Sequence, residues 1–173
     1  MSIKESEVIS NAFQEQYGAA IKMLEQVIKN CPEEIWDDRT SGPPFWQVAF
    51  HAMWFLDWYL GRSKDERKKF RPGFKADLKN LKELPKETLT REQLISYLSK
   101  IKEKGKQRLD QLTLEELIQP SVFEWHGGSI HSSLIYNIRH VMLHIGALNL
   151  RLLRKGINLD NWVSHAPILP NKR

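Results

Sequence analysis

The chain has 173 residues, of which 41% are hydrophobic and 27% are charged, and its formal net charge is +5. This composition is that of an ordinary globular protein, and it excludes the fibrous and intrinsically disordered classes. The single cysteine, Cys31, excludes both an internal disulfide and a zinc site built from cysteines. A metal site in this chain would therefore use nitrogen or oxygen ligands.

The first two helices are predicted from apolar residues at helical spacing. Residues 4–29 form an amphipathic pattern that stops before Pro32. The run Phe45–Leu60 follows Pro44, and a proline suits the first turn of a helix. On this second helix the spacing predicts a core face that includes Val48, His51, Phe55 and Trp58.

Two further helices are marked by capping signals. Thr90 with Gln93 predicts a capping box for a third helix, whose apolar stripe extends to Leu109. The fourth helix is predicted at about 130–155 and is stopped by Gly156. Another box, Thr113 with Glu116, predicts a short helical turn between them.

Four helices in a chain of this length predict an all-α four-helix bundle, and we expect one domain over 1–173 with an extended tail at about 157–173. The connection between the second and third helices, about 62–89, is long enough to act as a crossover between parallel neighbours. Residues 62–82 hold nine Lys or Arg against three acids. This segment matches no nucleic-acid-binding module, so we interpret it as a solvated connection and expect no nucleic-acid partner.

Neither export nor a membrane location is expected. The N-terminal residues lack a basic segment followed by an apolar one, and polar residues such as His51 and Arg151 interrupt the longest apolar runs. We therefore expect a cytoplasmic protein.

Three histidines form the candidate metal site. His140 and His144 lie about 40° apart on a helical wheel, and both lean toward the apolar face of the fourth helix. Residues four apart can ligate one ion together. His51 lies on the second helix among apolar neighbours, whereas Asp57 lies about 120° away from it and is excluded as a ligand. A single buried histidine is usually a hydrogen-bonded core residue, but three that lean inward indicate a shared ion.

Other residues are candidates for contact with a small-molecule substrate. Trp54 and Trp58 lie near the direction of His51 and suit the wall of an apolar pocket, although for each residue alone core packing is the favoured interpretation. His126, in the loop before the fourth helix, can overhang the mouth of the bundle. Asn137, one turn before His140, can orient a ligand or serve as an ordinary hydrogen-bonding residue of the bundle.

The stretches PFWQVAFHAMWFLDWYL (44–60) and YNIRHVMLHIGALNLRLLR (136–154) resemble the DinB-like family, also described as YfiT-like metal-dependent hydrolases. The resemblance covers the whole bundle and implies up-down-down-up topology. It also implies one divalent ion, commonly nickel or zinc, bound by His51, His140 and His144; iron is a further possibility. The chain departs from the family at Ala147, where relatives often carry glutamine.

Two kinds of chemistry remain open. Characterised relatives use low-molecular-weight thiols such as bacillithiol, mycothiol or glutathione, which implies a thiol cosubstrate and S-transfer. The alternative chemistry is hydrolysis by activated water. A different class, a non-catalytic metal-binding or stress-response interaction protein, also fits, as does a homodimer.

Overall fold

The computed structural model describes residues 5–63, 65, 66, 73–123 and 128–169, and these residues form an all-helical protein, as the sequence predicts. The α-helices are α1 (Glu5–Lys29), α2 (Glu33–Trp36), α3 (Phe45–Tyr59), α4 (Arg91–Asp110), α5 (Leu114–Leu117) and α6 (Ile130–Arg154), and a 3₁₀-helix spans Ala76–Lys79. The sequence did not predict α2 or the 3₁₀-helix. None of the described helices combines the length and apolar character that crossing a membrane requires.

Local signals fix the ends of α4 and α6. The Thr90 hydroxyl accepts the backbone N–H of Gln93, and the Gln93 side chain accepts the N–H of Thr90, so the predicted capping box is confirmed. The Ser129 hydroxyl accepts the N–H of Ser132 and caps the start of α6. Gly156 follows α6 with a φ of +73°, a left-handed conformation that favours glycine and ends the helix.

Contacts between helix ends show that α1 and α4 run antiparallel. Near the start of α1, the Ser10 hydroxyl donates to the carbonyl of Leu109 at the end of α4, at 2.6 Å. Near the start of α4, Arg91 donates to the carbonyl of Ile28 at the end of α1, at 2.8 Å. The two helices therefore cover each other along their whole length.

The helix α3 runs parallel to α4. Phe50 lies beside Tyr97, and seven residues further along each helix Asp57 pairs with Lys104. Parallel neighbours need a long connection, because the chain must return to the end of the bundle at which it started. The segment between α3 and α4 provides that return, and its 3₁₀-helix packs against α3.

The helix α6 runs antiparallel to α3 and therefore parallel to α1. Arg151, near the end of α6, donates to the carbonyl of Pro43 just before α3, at 2.7 Å. At the opposite end, the rings of Tyr59 and Tyr136 lie 5.3 Å apart. The antiparallel contact between α3 and α6 is where the predicted histidines meet.

The predicted core face of the second helix needs a correction. Val48 is buried, but His51, Phe55 and Trp58 are only partly buried. The helix α3 contacts α4, α6 and the 3₁₀-helix, so most of its circumference is buried. A helical wheel is then apolar on nearly every side, and it cannot show that the strip with His51, Phe55 and Trp58 is the one nearest the surface. The three histidines therefore lie near an opening rather than deep in the core.

The described part of the C-terminal tail packs across α1. The backbone N–H of Ala166 donates to the carbonyl of Glu15 at 3.3 Å, and Ile168 is buried in the core. A Cβ atom at Gly18 would lie only 1.9 Å from the carbonyl oxygen of Ala166. Glycine at this position is what allows the tail to approach the helix so closely.

Candidate metal centre

Three imidazoles from two helices converge between α3 and α6. The Nε2 atom of His140 lies 3.3 Å from Nε2 of His51 and 3.2 Å from Nε2 of His144. One ring nitrogen of each histidine lies within 4.8 Å of the other two. The structure thus brings together the three residues that the sequence singled out. We call this group the three-histidine cluster.

A backbone carbonyl fixes the tautomer of His51. Its Nδ1 atom lies 2.7 Å from the carbonyl oxygen of Lys79, the last residue of the 3₁₀-helix. A carbonyl can only accept, so Nδ1 carries the proton and donates it. The lone pair of Nε2 then faces the cluster, which is the orientation that a metal ligand needs.

The environment keeps the imidazoles neutral. Burial, together with a smaller contribution from the neighbouring imidazoles, lowers the pKa of His140 to about 4 and that of His144 to about 3. Burial also lowers the pKa of His51, although its hydrogen bond to Lys79 acts in the opposite direction. At neutral pH each ring therefore has a lone pair available for a ligand bond.

The spacing of the nitrogens fits a small divalent ion. With metal–nitrogen bonds of about 2.0–2.1 Å, neighbouring ligands of a tetrahedral site lie about 3.3–3.4 Å apart. The two Nε2 separations in the cluster, 3.3 and 3.2 Å, are close to this value. When the rings carry their protons on Nδ1, the lone pairs of the facing Nε2 atoms repel one another, and a shared cation removes that repulsion. The donor set of three neutral imidazoles suits zinc, nickel and iron.

Aromatic rings line one side of the cluster. The centroid of the Phe55 ring lies 4.8 Å from that of His51 and 5.1 Å from that of His140. Tyr136 stacks on His140 at 6.2 Å with an interplanar angle of 15°, and Trp58 stacks on Phe55 at 6.1 Å. We call Phe55, Trp58 and Tyr136 the aromatic wall. Because the rings pack against one another, the wall limits the rotation of His140 and offers an apolar surface next to the cluster.

Residues 16–148 match the family model of the DinB superfamily. The match covers more than half of the chain. The chain belongs to the DinB superfamily. Comparison with curated proteins finds no match. Membership in the DinB superfamily and a three-histidine cluster together are compatible with a metal-binding protein.

Within this DinB-superfamily bundle, the two tryptophans suggested for substrate contact lie in different places. Trp58 belongs to the aromatic wall and is partly exposed. Trp54 is only 2% exposed, packs against Phe50 at 5.7 Å, and lies under the ammonium group of Lys79. Trp54 is therefore a core residue, because α3 is buried on the side that carries it.

The other two residues suggested for substrate contact are Asn137 and His126. Asn137 is fully buried and hydrogen-bonds within the bundle, which is one of the two roles that the sequence left open for it. Its contact with a substrate stays a prediction. His126 lies outside the described residues, and its role stays a prediction. Asp57, which the sequence excluded as a ligand, pairs with Lys104 away from the cluster.

Sequence reasoning missed two groups that contact the three-histidine cluster. The carbonyl of Lys79 belongs to a backbone whose path through the crossover has no sequence signal. Tyr136, in contrast, lies four residues before His140, and this spacing alone places it beside that ring. Ala147, the departure from the family pattern, is exposed on α6.

A separate apolar groove of about 840 Å³ lies between α1, α5 and α6. Ile118 and Ile135, which line it, are 76% and 42% exposed. The groove contains none of the three histidines of the cluster. The homodimer that the sequence suggested stays a prediction.

Proposed function

We propose that this chain is a divalent-metal-dependent enzyme in which His51, His140 and His144 hold the ion. The convergence of their Nε2 atoms at 3.2–3.3 Å carries the proposal. Zinc and nickel are the ions we favour, with iron as the third choice, because neutral imidazole suits all three. A small electrophilic molecule is the proposed substrate.

The number of protein ligands favours catalysis over a purely structural role. Structural zinc sites usually have four protein ligands, whereas catalytic sites keep one position open. In the part of the chain that the structure describes, the candidate cluster has three members. An ion held there would lower the pKa of a thiol or water molecule at the open position and make it a nucleophile near neutral pH.

The surroundings of the cluster favour a thiol over water. The neighbours that shift the pKa values of the three imidazoles are Lys79 and the imidazoles themselves, and no carboxylate is among them within the described residues. Attack by water usually needs a general base, whereas a thiol with a lowered pKa needs little such help. We therefore propose S-transfer from a low-molecular-weight thiol, with hydrolysis as the second chemistry.

The aromatic wall supplies the substrate side of the proposal. Phe55 and Tyr136 contact the imidazole rings directly, and Trp58 extends the apolar surface. An apolar electrophile packed on these rings would be oriented toward the cluster, and water would be excluded from the contact.

The first experiment measures metal content. Untagged protein, the His144→Ala variant and a His131→Ala control are purified and analysed for zinc, nickel and iron. His131 lies on the same helix and is exposed, outside the cluster. We expect about one equivalent in the parent and in His131→Ala and little in His144→Ala. Absence of metal in the parent after reconstitution would refute the proposal.

A second experiment tests turnover. The loaded protein is mixed with glutathione, bacillithiol or mycothiol and with electrophiles of increasing apolar size, and loss of free thiol is followed; ester hydrolysis is measured in parallel. Thiol consumption that disappears in His51→Ala and persists in His131→Ala supports S-transfer. Stoichiometric metal without either activity would instead identify a metal-binding protein that performs neither reaction.

A further inference from the structure

A buried hydrogen-bond network is centred on Asn137, one helical turn before His140. Asn137 is fully buried, and its amide nitrogen donates to the Tyr17 hydroxyl at 3.2 Å and to the carbonyl of Leu56 at 3.2 Å. The Tyr17 hydroxyl donates to the carbonyl of Leu134 at 3.0 Å. The Tyr17 hydroxyl and the Leu56 carbonyl both accept from the amide nitrogen of Asn137, so the network fixes which end of the amide group is nitrogen and which is oxygen.

Two complementary atoms remain beside this network. The Oδ1 atom of Asn137 and the Nδ1 atom of His140 are both buried, and neither has a hydrogen-bond partner among the residues that the structure describes. Buried polar atoms in native proteins nearly always have a partner, either another protein atom or an ordered water. One of these two atoms is an acceptor, and the other is a nitrogen that can donate.

The role of His140 in the cluster decides the proton position. Its Nε2 atom faces His51 and His144, so a lone pair at Nε2 puts the proton on Nδ1. Residues three apart on an α-helix are neighbours on its surface, and Asn137 lies three residues before His140. The donor and the acceptor therefore belong to side chains that are one helical turn apart in the same buried region.

We propose that Asn137 is a positioning residue for His140, whose Nδ1–H donates to the Oδ1 atom of Asn137 either directly or through one buried water. This inference rests on the proposed metal site. It gives His140 the same kind of support that the carbonyl of Lys79 gives His51. Through Tyr17 and Leu56 it also ties the orientation of a ligand on α6 to α1 and α3.

Zinc affinity of matched variants tests the proposal. Asn137→Ala removes the Oδ1 acceptor. Tyr17→Phe disrupts the same buried network but leaves that Oδ1 atom in place. Competition with a chromophoric chelator should show zinc bound 10–100-fold more weakly by Asn137→Ala, as is typical when the partner of a ligand is lost. Tyr17→Phe should bind within about threefold of the parent, because Oδ1 of Asn137 is still present.

A third variant separates positioning from stability. Asn137→Asp keeps an oxygen acceptor but loses both N–H donors, so it weakens the network while it preserves the contact with His140. We expect its zinc affinity to stay close to that of the parent although its unfolding midpoint falls. This variant also provides the test if Asn137→Ala does not fold.

Nuclear magnetic resonance of the zinc-loaded protein with ¹⁵N-labelled histidine supplies a direct signature. Nδ1–H protons that are hydrogen-bonded in the interior exchange slowly with water. We expect such signals from His51 and His140 in the parent, and loss of only the His140 signal in Asn137→Ala. The His51 signal is the internal control, since its acceptor is the carbonyl of Lys79.

Three results would overturn the inference. Asn137→Ala could bind zinc as tightly as the parent, Tyr17→Phe could lose as much affinity as Asn137→Ala, or Asn137→Asp could lose as much as Asn137→Ala. Each shows that Asn137 acts only through the fold. A parent that binds no zinc overturns the metal site itself, which is a different failure from a parent that binds zinc independently of Asn137.

Discussion

The helix α3 carries two polar groups, Asp57 and His51, in contrasting environments. Asp57 is completely buried, yet each of its carboxylate oxygens has a partner. Lys104 donates to one oxygen at 2.5 Å and to the Asp57 carbonyl at 2.7 Å, and Tyr97 donates to the other oxygen at 2.8 Å. The charge and the hydrogen-bonding capacity of this group are satisfied within the protein.

His51, in contrast, belongs to the three-histidine cluster, whose nitrogens face one another rather than a group of opposite charge. The three imidazoles of the cluster are partly exposed, and their Nε2 atoms face one another. Nothing among the described contacts supplies a positive charge between them. A buried polar group with complementary partners serves the fold, whereas three imidazole nitrogens that converge on one another are compatible with a site for an external cation.

Breaking the pair at Asp57 is expected to give the largest effect. In Asp57→Ala the ammonium of Lys104 remains buried without its counter-charge, which should lower the free energy of unfolding by about 3–5 kcal/mol. Urea unfolding of the metal-free protein measures this loss. Zinc stoichiometry of the folded fraction should stay at the parent level, because Asp57 does not belong to the cluster.

A double variant is the control for this prediction. Asp57→Leu combined with Lys104→Met removes both charges and should recover most of the lost stability. A double variant as unstable as Asp57→Ala would show that the contribution of this site comes from packing rather than from the ion pair.

Metal addition should stabilise the protein through the three-histidine cluster and not through the Asp57 pair. Zinc at a free concentration of 100 times its dissociation constant should raise the free energy of unfolding of the parent by about 2.7 kcal/mol. The His51→Ala variant should gain much less at the same zinc concentration, because one of three ligands is missing. Thermal unfolding followed by circular dichroism compares the two proteins. Equal stabilisation of both would place the bound zinc elsewhere.

Removing one hydrogen bond from Asp57 should have a smaller effect than removing Asp57. Tyr97→Phe deletes the hydroxyl that donates to the carboxylate but retains the ring that packs on Phe50 and Phe74. Hydrogen bonds to charged groups contribute about 1.5–3 kcal/mol, and we expect a loss near 2 kcal/mol in urea unfolding. An unchanged urea midpoint would mean that the ion pair with Lys104 stabilises the buried Asp57 carboxylate without help from the Tyr97 hydroxyl.

The smallest effect is expected from pH. Burial lowers the pKa of His140 to about 4 and that of His144 to about 3, from an ordinary 6.5. Between these values the unfolded chain binds more protons, so the free energy of unfolding of the metal-free protein should rise as pH increases from 5 to 7. Partial exposure of the rings screens the effect. Urea titrations at pH 5, 6 and 7 should show a shallower slope for His144→Gln; equal slopes would contradict this prediction.

The sequence was most informative where short-range chemistry decides structure. The capping box of Thr90 and Gln93 is present, because its hydrogen bonds involve residues three apart. The pairing of His140 with His144 follows from helix geometry in the same way. The wheel for α3 was wrong about the depth of His51, because neighbouring elements bury that helix on nearly every side and leave His51 on the strip that is only partly buried.

What the sequence determined by itself is therefore the set of long helices, their capping signals, and the three histidines as one group. What only the tertiary structure decided is how these side chains are supported. The Lys79 carbonyl meets His51 across a gap of 28 positions, and Asp57 meets Lys104 across a gap of 47 positions. Contacts at such separations depend on how whole helices pack, and helical periodicity within one segment contains no information about the partner segment.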